Sequence, residues 1–423
     1  MNCVRCALVS ALLIPAGSSG QETATPHQAA VSGPSLDVET ATRAYLDRPT
    51  PEQKARSDAY FEGGYWLQLW GFLYGLGVAW VFLGTRLSQS MRALAERLTR
   101  RKSVQTWLYG AQYLVAATIL VFPLTVYQGF FREHQYGLAT QTFPQWMRDQ
   151  LVGLAVSLVL VPLLLVVLYG VFRRAPRTWW LWGSGVALLF LVFVILISPV
   201  YIDPLFNKYE PLADVRVKDE ILRLARASGI ETRDVYQFDA SRQTTRVSAN
   251  VSGFLGTMRI RLNDNLLKRC PLPEIKAVMA HEIGHYVLNH VYETIVFFAI
   301  VLVGGFAFVR GSFEWALRRW GARWSIAGIG DVAGFPLLAA LLSVYFFLLT
   351  PVLNSYIRVS EAEADLYGLQ AAREPDGFAE VALKLGEYRK LEPSPFEEWF
   401  FFDHPSGRSR IRMAMEWKAA QGR

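Results

Sequence analysis

Two histidines four residues apart, with a glutamate directly after the first, stand in Ala280-His281-Glu282-Ile283-Gly284-His285. This H-E-x-x-H pattern lies inside an apolar, helix-friendly run from Pro273 to His290. On a helix, positions i and i+4 share a face, so His281 and His285 can aim both imidazoles at one ion. Glu282 falls beside such an ion rather than on it, within reach of a proton on metal-bound water. Two imidazoles, a neighbouring carboxylate and an open coordination position are the parts of a zinc hydrolase. The competing reading is a pair of core histidines. Composition weakens it: the chain has only 6 histidines, and two of them fall at this spacing. Two histidines and a glutamate on a buried helix are costly without a partner.

A catalytic zinc of this kind needs a third protein ligand. Arg358-Val359-Ser360-Glu361-Ala362-Glu363-Ala364-Asp365 offers three carboxylates on an expected helix. Glu361 and Asp365 are one turn apart and share a face, whereas Glu363 points away. One of the pair would bind the ion and the other would orient a histidine. Spacing does not say which, and a solvated acidic helix face is the bland alternative. His290, five residues after His285, turns away from the pair on a continuous helix and reads as structural. His404 precedes Pro405 in Asp403-His404-Pro405-Ser406-Gly407-Arg408-Ser409-Arg410. Its reading is divided between a donor to a tetrahedral oxyanion and a plain loop residue.

The elements that must position these residues are largely apolar. The chain has 423 residues, 52% hydrophobic and 13% aromatic, with a mean hydropathy of +0.21. That is too apolar for an ordinary soluble enzyme and indicates a membrane protein. Cys3, Cys6 and Cys270 build neither a disulfide framework nor a cysteine zinc site. Residues 1–20 carry Arg5, a short apolar run and a small-residue end, and read as a signal peptide. A short N-terminal anchor is the alternative. Residues 21–64 form a polar lead-in, with a helix near Pro51 to Phe61. Four spanning helices follow within residues 65–201: about 65–84, 107–130, 151–172 and 179–201. Two more, about 294–309 and 335–353, follow the zinc motif within residues 294–353. Trp66, Trp107, Trp179, Trp180 and Trp182 sit at span ends as interfacial anchors. The spans hold essentially no ionisable residues, which argues against a transporter. An inactive zinc-binding membrane scaffold is the other rival reading.

Residues 202–293 are not membrane-like. Val215–Gly229 has a helical period, while Val235–Asp239, Thr245–Val251 and Arg259–Leu262 alternate like strands, the last ending in an Asn263–Asn265 turn. A small sheet before the zinc helix suits a peptidase, because an extended peptide can add a strand to its edge. Residues 354–423 would complete this domain and bring the third ligand. Loop charge gives the orientation. Arg86, Arg92, Arg97, Arg100, Arg101 and Lys102 fill the first inter-span loop. Arg173, Arg174 and Arg177 fill the third, and Arg310, Arg318, Arg319 and Arg323 the fifth. By the positive-inside rule these face the cytoplasm. The zinc motif and the C-terminal region then face the periplasm of a bacterial inner membrane.

With these motifs in hand, the chain from about Pro51 onward resembles the type I CAAX prenyl protease family of integral-membrane zinc metallopeptidases. More loosely it resembles a related bacterial heat-shock membrane protease. The likeness rests on Pro204-Leu205-Phe206-Asn207-Lys208-Tyr209, Ser248–Phe254, the H-E-x-x-H run, Arg358-x-x-Glu361-x-x-Ala364-Asp365, and His404-Pro405 with Arg410. It implies that His281, His285 and Glu361 bind one zinc ion per chain and that Glu282 is the base. It implies Asp365 behind a ligand, with Arg358, Asn250 and His404 near substrate. The implied fold is mainly α: a multi-span helix bundle around a chamber, capped by a zinc domain with a small sheet. Two departures stand out. The family's Asn-Ala-aromatic strand reads Ser248-Ala249-Asn250 here. Eukaryotic members have a further leading span and face the cytosol. The expectation is therefore a bacterial-type endopeptidase acting on membrane-associated or exported proteins rather than on prenylated tripeptides. Its partners would be a peptide substrate and the bilayer, with no nucleic acid.

Overall fold

The computed structural model describes residues 36–232, 234–252 and 259–422. The signal peptide expected over residues 1–20 lies outside them. Helix α1 (Val38–Leu46) precedes α2 (Pro51–Gly84), which runs unbroken from the polar lead-in through the first span. Pro51 begins α2, and Thr50 and Gln53 cap each other's backbone there, so a start is built into the sequence. A short α3 (Leu87–Leu98) leads into α4 (Lys102–Val126), which passes through a π-helical turn into α5 (Arg132–Gln135). Helices α6 (Phe143–Arg174) and α7 (Trp179–Ile197) follow. After the small soluble part come α8 (Val215–Ala227), α9 (Asp264–Arg269) and α10 (Leu272–Val287). The long α11 (His290–Trp324) and α12 (Phe335–Ala372) precede α13 (Pro375–Leu385), α14 (Pro395–Phe401) and α15 (Gly407–Ala420).

Six helical stretches are long and apolar enough to cross a membrane, and they coincide with the six expected spans. Most overrun them. The last continues past Leu353 to Ala372, so the third carboxylate motif rides on a spanning helix. Pro351 interrupts its ladder without breaking it, and the Ser355 hydroxyl donates to the Pro351 carbonyl at 2.7 Å.

The core of the bundle sits near one end. Phe82, Tyr109, Tyr169, Phe172, Phe306 and Phe313 are fully or nearly fully buried there. The three basic loops meet at this same end. Arg92 pairs with Asp331, and Arg173 donates to the Gly330 carbonyl at 3.1 Å and to the Thr106 hydroxyl at 3.0 Å.

The soluble part is built on a four-stranded sheet with the order β1-β2-β4-β3. Its strands are β1 (Tyr209–Pro211), β2 (Val235–Phe238), β3 (Ala249–Ser252) and β4 (Arg259–Asn263). The β2–β4 pair is parallel and the other two pairs are antiparallel. Strand β3 is therefore an edge. Val217, Ile221, Ile260, Leu262, Met279 and Ile283 form the core beneath, joining α8, β4 and α10. Two differences from the sequence reading have local causes. The turn expected at 263–265 is the start of α9, because Asn263 caps Leu266 N at 2.8 Å. Strand β1 has three residues, too few to show an alternation.

Arg261, 2% exposed, ties the sheet to the bundle. It pairs with Asp203 at 3.1 Å and donates to the Pro199 carbonyl at 2.8 Å. A second tie joins Arg246 to Glu133 at 2.8 Å and to the Tyr60 hydroxyl at 2.6 Å.

Helices α10 and α12 pack unusually closely, because small residues face each other. A Cβ on Gly368 would meet His281 N at 3.0 Å and its Cα at 3.2 Å. One on Gly284 would meet the Ala364 Cα at 3.3 Å. Gly368→Val is expected to force this pair apart and cost about 1–3 kcal/mol. A thermal-unfolding measurement in detergent should show the lower midpoint; an unchanged midpoint would mean that the seam is not tight.

Candidate active site

Helix α10 places His281 and His285 on one face, one turn apart, against the Glu361 face of α12. The His281 and His285 Nε2 atoms are 3.2 Å apart. His281 Nε2 lies 3.3 Å from Glu361 Oε2, and His285 Nε2 lies 3.5 Å from Glu361 Oε1. Ligand atoms about 2.0–2.2 Å from a tetrahedral ion must lie about 3.3–3.6 Å from each other. These distances, taken to the nearer carboxylate oxygen in each case, are close to the size that zinc requires, and one donor atom from each side chain lies within 4.8 Å of the others.

The surroundings favour a positive charge at this point. Asp365, with no solvent exposure, places Oδ1 2.7 Å from His281 Nδ1, in a close contact bent off the ideal N–H line. Arg410, also buried, pairs with the same carboxylate oxygen and stacks over Phe378. Burial opposes a charged His281, but the Asp365 and Glu361 carboxylates outweigh it and raise its pKa to about 10. That is the field a cation would meet.

Glu282, half-buried, shares with His281, Glu361 and His404 the wall of a cavity of about 1920 Å³. This exceeds the volume of an ordinary small-molecule pocket. Its lining runs from the bundle, at Tyr65, Phe122 and Leu151, to the sheet, at Ser248 and Ala249. The chamber thus spans both parts of the chain.

His404 enters from the turn between α14 and α15. Its Nε2 lies 3.2 Å from Glu361 Oε2, and its Nδ1 lies 2.8 Å from Asp403 Oδ1. Arg358 is placed differently. Its guanidinium donates to the carbonyls of Glu398 at 2.7 Å and Phe402 at 2.6 Å. It anchors the segment that carries His404. Asn250 lies on β3 opposite Arg261, and its Oδ1 is buried without a partner among the described residues.

Two residues were set aside by the sequence reading and the structure brings both to the site. His290 does not turn away: its Nδ1 lies 2.8 Å from His285 Nδ1. Glu363 does point away from the Glu361 face and is exposed, but its Oε2 lies 3.2 Å from His290 Nε2. For His290 the reason is a break. Helix α10 ends at Val287, Asn289 takes a left-handed φ of 61°, and α11 restarts at His290. A helical wheel drawn across residues 285–290 therefore fails. The Leu288-Asn289 pair was the available signal, because Asn tolerates the left-handed conformation that ends helices.

Comparison with known proteins agrees with this architecture. Residues 211–418 match the family model for peptidase family M48, and residues 40–208 match that for the CAAX prenyl protease N-terminal region, described as five membrane helices. Four candidate spans fall within the second match among the described residues. The chain is 29% identical to an uncharacterized metalloprotease, YhfN, of Bacillus subtilis, over 81% of this chain and 82% of that protein. It is 27% identical to a CAAX prenyl protease 1 homolog of Arabidopsis thaliana, over 73% of each. The crystal structure of S. mikatae Ste24p superposes with a TM-score of 0.74 at 21% identity, covering 89% of this chain and 94% of that one, which shows a shared fold. The two matched regions run almost end to end from residue 40 to residue 418, and the chain belongs to peptidase family M48 as an integral-membrane, CAAX prenyl protease-like zinc metallopeptidase.

Proposed function

We propose that His281, His285 and Glu361 hold one zinc ion and that Glu282 is the general base for peptide-bond hydrolysis. The ligand group carries this reading: three donors from two helices at near-tetrahedral spacing, two of them, His281 and Glu361, on the wall of a cavity that Glu282 shares. Zinc held there supplies Lewis acidity, polarising the scissile carbonyl and lowering the pKa of a water to about 7. Glu282 takes the proton from that attacking water. It then delivers the proton to the amine as the C–N bond breaks. Asp365, backed by Arg410, keeps the Nε2 of His281 turned inward. In this reading His404, 3.2 Å from Glu361 and with Asp403 behind it, donates to the developing oxyanion. Arg358 acts through His404 by fixing its segment. Among the described residues strand β3 is an edge of the sheet that an extended peptide could lengthen, and Asn250 sits on that strand.

The substrates we infer are membrane-associated or exported proteins, cleaved on the periplasmic side of a bacterial inner membrane. The chamber lining supports this, because it mixes apolar bundle residues with polar ones from the soluble part. The clustering of the basic loops at one end of the bundle supports the orientation. The relatives' name makes a prenylated CAAX peptide the natural comparison substrate.

Glu282→Gln is expected to keep zinc and lose at least about 100-fold in kcat; retained turnover would contradict the base role. Glu361→Ala should lose zinc, and a zinc chelator should abolish cleavage by the unaltered protein until zinc is restored. Activity that persists in the chelator would argue against a metal mechanism. Orientation can be read with a membrane-impermeant maleimide on intact cells lacking Cys3 and Cys6. Val215→Cys, 67% exposed, should label, and Arg97→Cys should not. Burial, aided by Glu274, pushes the Cys270 thiol up to about 12, so it should stay silent. The reverse pattern would place the site in the cytoplasm.

A further inference from the structure

We propose that His290 and Glu363 are positioning residues for the metal centre, forming a hydrogen-bonded chain that fixes the tautomer of His285. The inference rests on the zinc site proposed above. His285 turns Nε2 towards His281 and Glu361, so that nitrogen must keep its lone pair for the ion. Its proton is then on Nδ1. The His285 and His290 Nδ1 atoms are 2.8 Å apart, a distance that accommodates one proton between them but not two. His290 Nδ1 must therefore accept, and the His290 proton moves to Nε2. There it meets the Glu363 carboxylate at 3.2 Å, an acceptor only. Every proton in the chain is assigned by this reasoning, from Glu363 through His290 to His285.

The two zinc-facing histidines are thus supported differently. His281 leans on a buried carboxylate, Asp365, held by Arg410. His285 leans on a neutral imidazole that is itself 5% exposed. The carboxylate behind that imidazole is half in water, with 53% of the Glu363 side chain exposed. Removing His290 should therefore matter more than neutralising Glu363.

The same assignment decides a second question. His290, Glu293 and Glu363 have donor atoms within 4.8 Å of one another and could by distance hold a cation of their own. A metal there would need the lone pair of His290 Nε2, which would push the His290 proton onto Nδ1. Two N–H groups would then face each other at 2.8 Å. With the first site loaded this second group does not fill, so of the two groups among the described residues only one takes zinc.

The test is a zinc titration of the full-length protein in detergent against a chromophoric chelator, for the wild type, His290→Leu, His290→Asn and Glu363→Gln. His290→Leu should weaken zinc binding by about 10–100-fold, in the range found for orienting partners of metal ligands. His290→Asn places an amide oxygen where Nδ1 sits and should recover most of the loss. Glu363→Gln should cost less than His290→Leu. The melting temperatures of the metal-free proteins should be alike, which a purely structural role for His290 would not allow. The proposal is overturned if His290→Leu binds zinc as the wild type does, or if the wild type takes a second tight zinc that His290→Leu removes. Should His290→Leu fail to fold, His290→Phe, which also lacks an acceptor at the Nδ1 position, takes its place, and wild-type zinc affinity in that variant overturns the proposal. Failure of the zinc centre itself is distinct: the wild type would then show no tight single equivalent before any variant is compared.

Discussion

The closeness of α10 to α12 is the constraint on which the site depends. Gly284 against Ala364 and Gly368 against the His281 backbone let the two helices touch main chain to main chain. Only at that separation can a glutamate on α12 bring its carboxylate within 3.5 Å of both imidazoles on α10. Glutamate is short, so the approach of the backbones, not the reach of the side chain, sets the geometry. The same approach places Asp365 behind His281. One packing decision therefore fixes both the inner ring of donors and part of the support behind it.

Helix α12 also makes the membrane part of the site's scaffold. Its 38 residues would span about 57 Å at 1.5 Å per residue, against a hydrocarbon thickness of about 30 Å. The apolar first half crosses, and the second half carries Glu361 roughly 12 Å beyond Leu353. The buried charges follow from this placement. Asp365 is fully enclosed, and such a carboxylate is tolerable only when paired, here with Arg410 and His281. The chamber then opens between the bundle and the sheet, which Arg261 and Arg246 hold together by ion pairs to Asp203 and Glu133.

Much of this was legible in the residue order. The i, i+4 spacing of His281 and His285 survives folding because it is a property of one helix. Glu361 and Asp365 shared a face for the same reason, although only the packing distinguishes the residue facing both Nε2 atoms from the one behind Nδ1. The spans were plain from length and apolarity, but their ends were not. Helix α12 runs on through polar residues because tertiary contacts with α10, α14 and α15 stabilise its second half. What escaped was whatever depended on a break or on distant partners. His290 was misplaced because Asn289 resets the helix direction between it and the motif, and its contact with Glu363 joins two helices that no single-helix spacing relates. Arg358 was expected near substrate, yet its guanidinium satisfies carbonyls forty and forty-four residues away, a role that no local pattern encodes.

The most direct measurement is anomalous diffraction at the zinc edge from crystals of the zinc-loaded protein. The account requires a single peak lying between His281 Nε2, His285 Nε2 and the Glu361 carboxylate. A peak beside His290, Glu293 and Glu363 instead, or a zinc position that Glu361 does not reach, would contradict it.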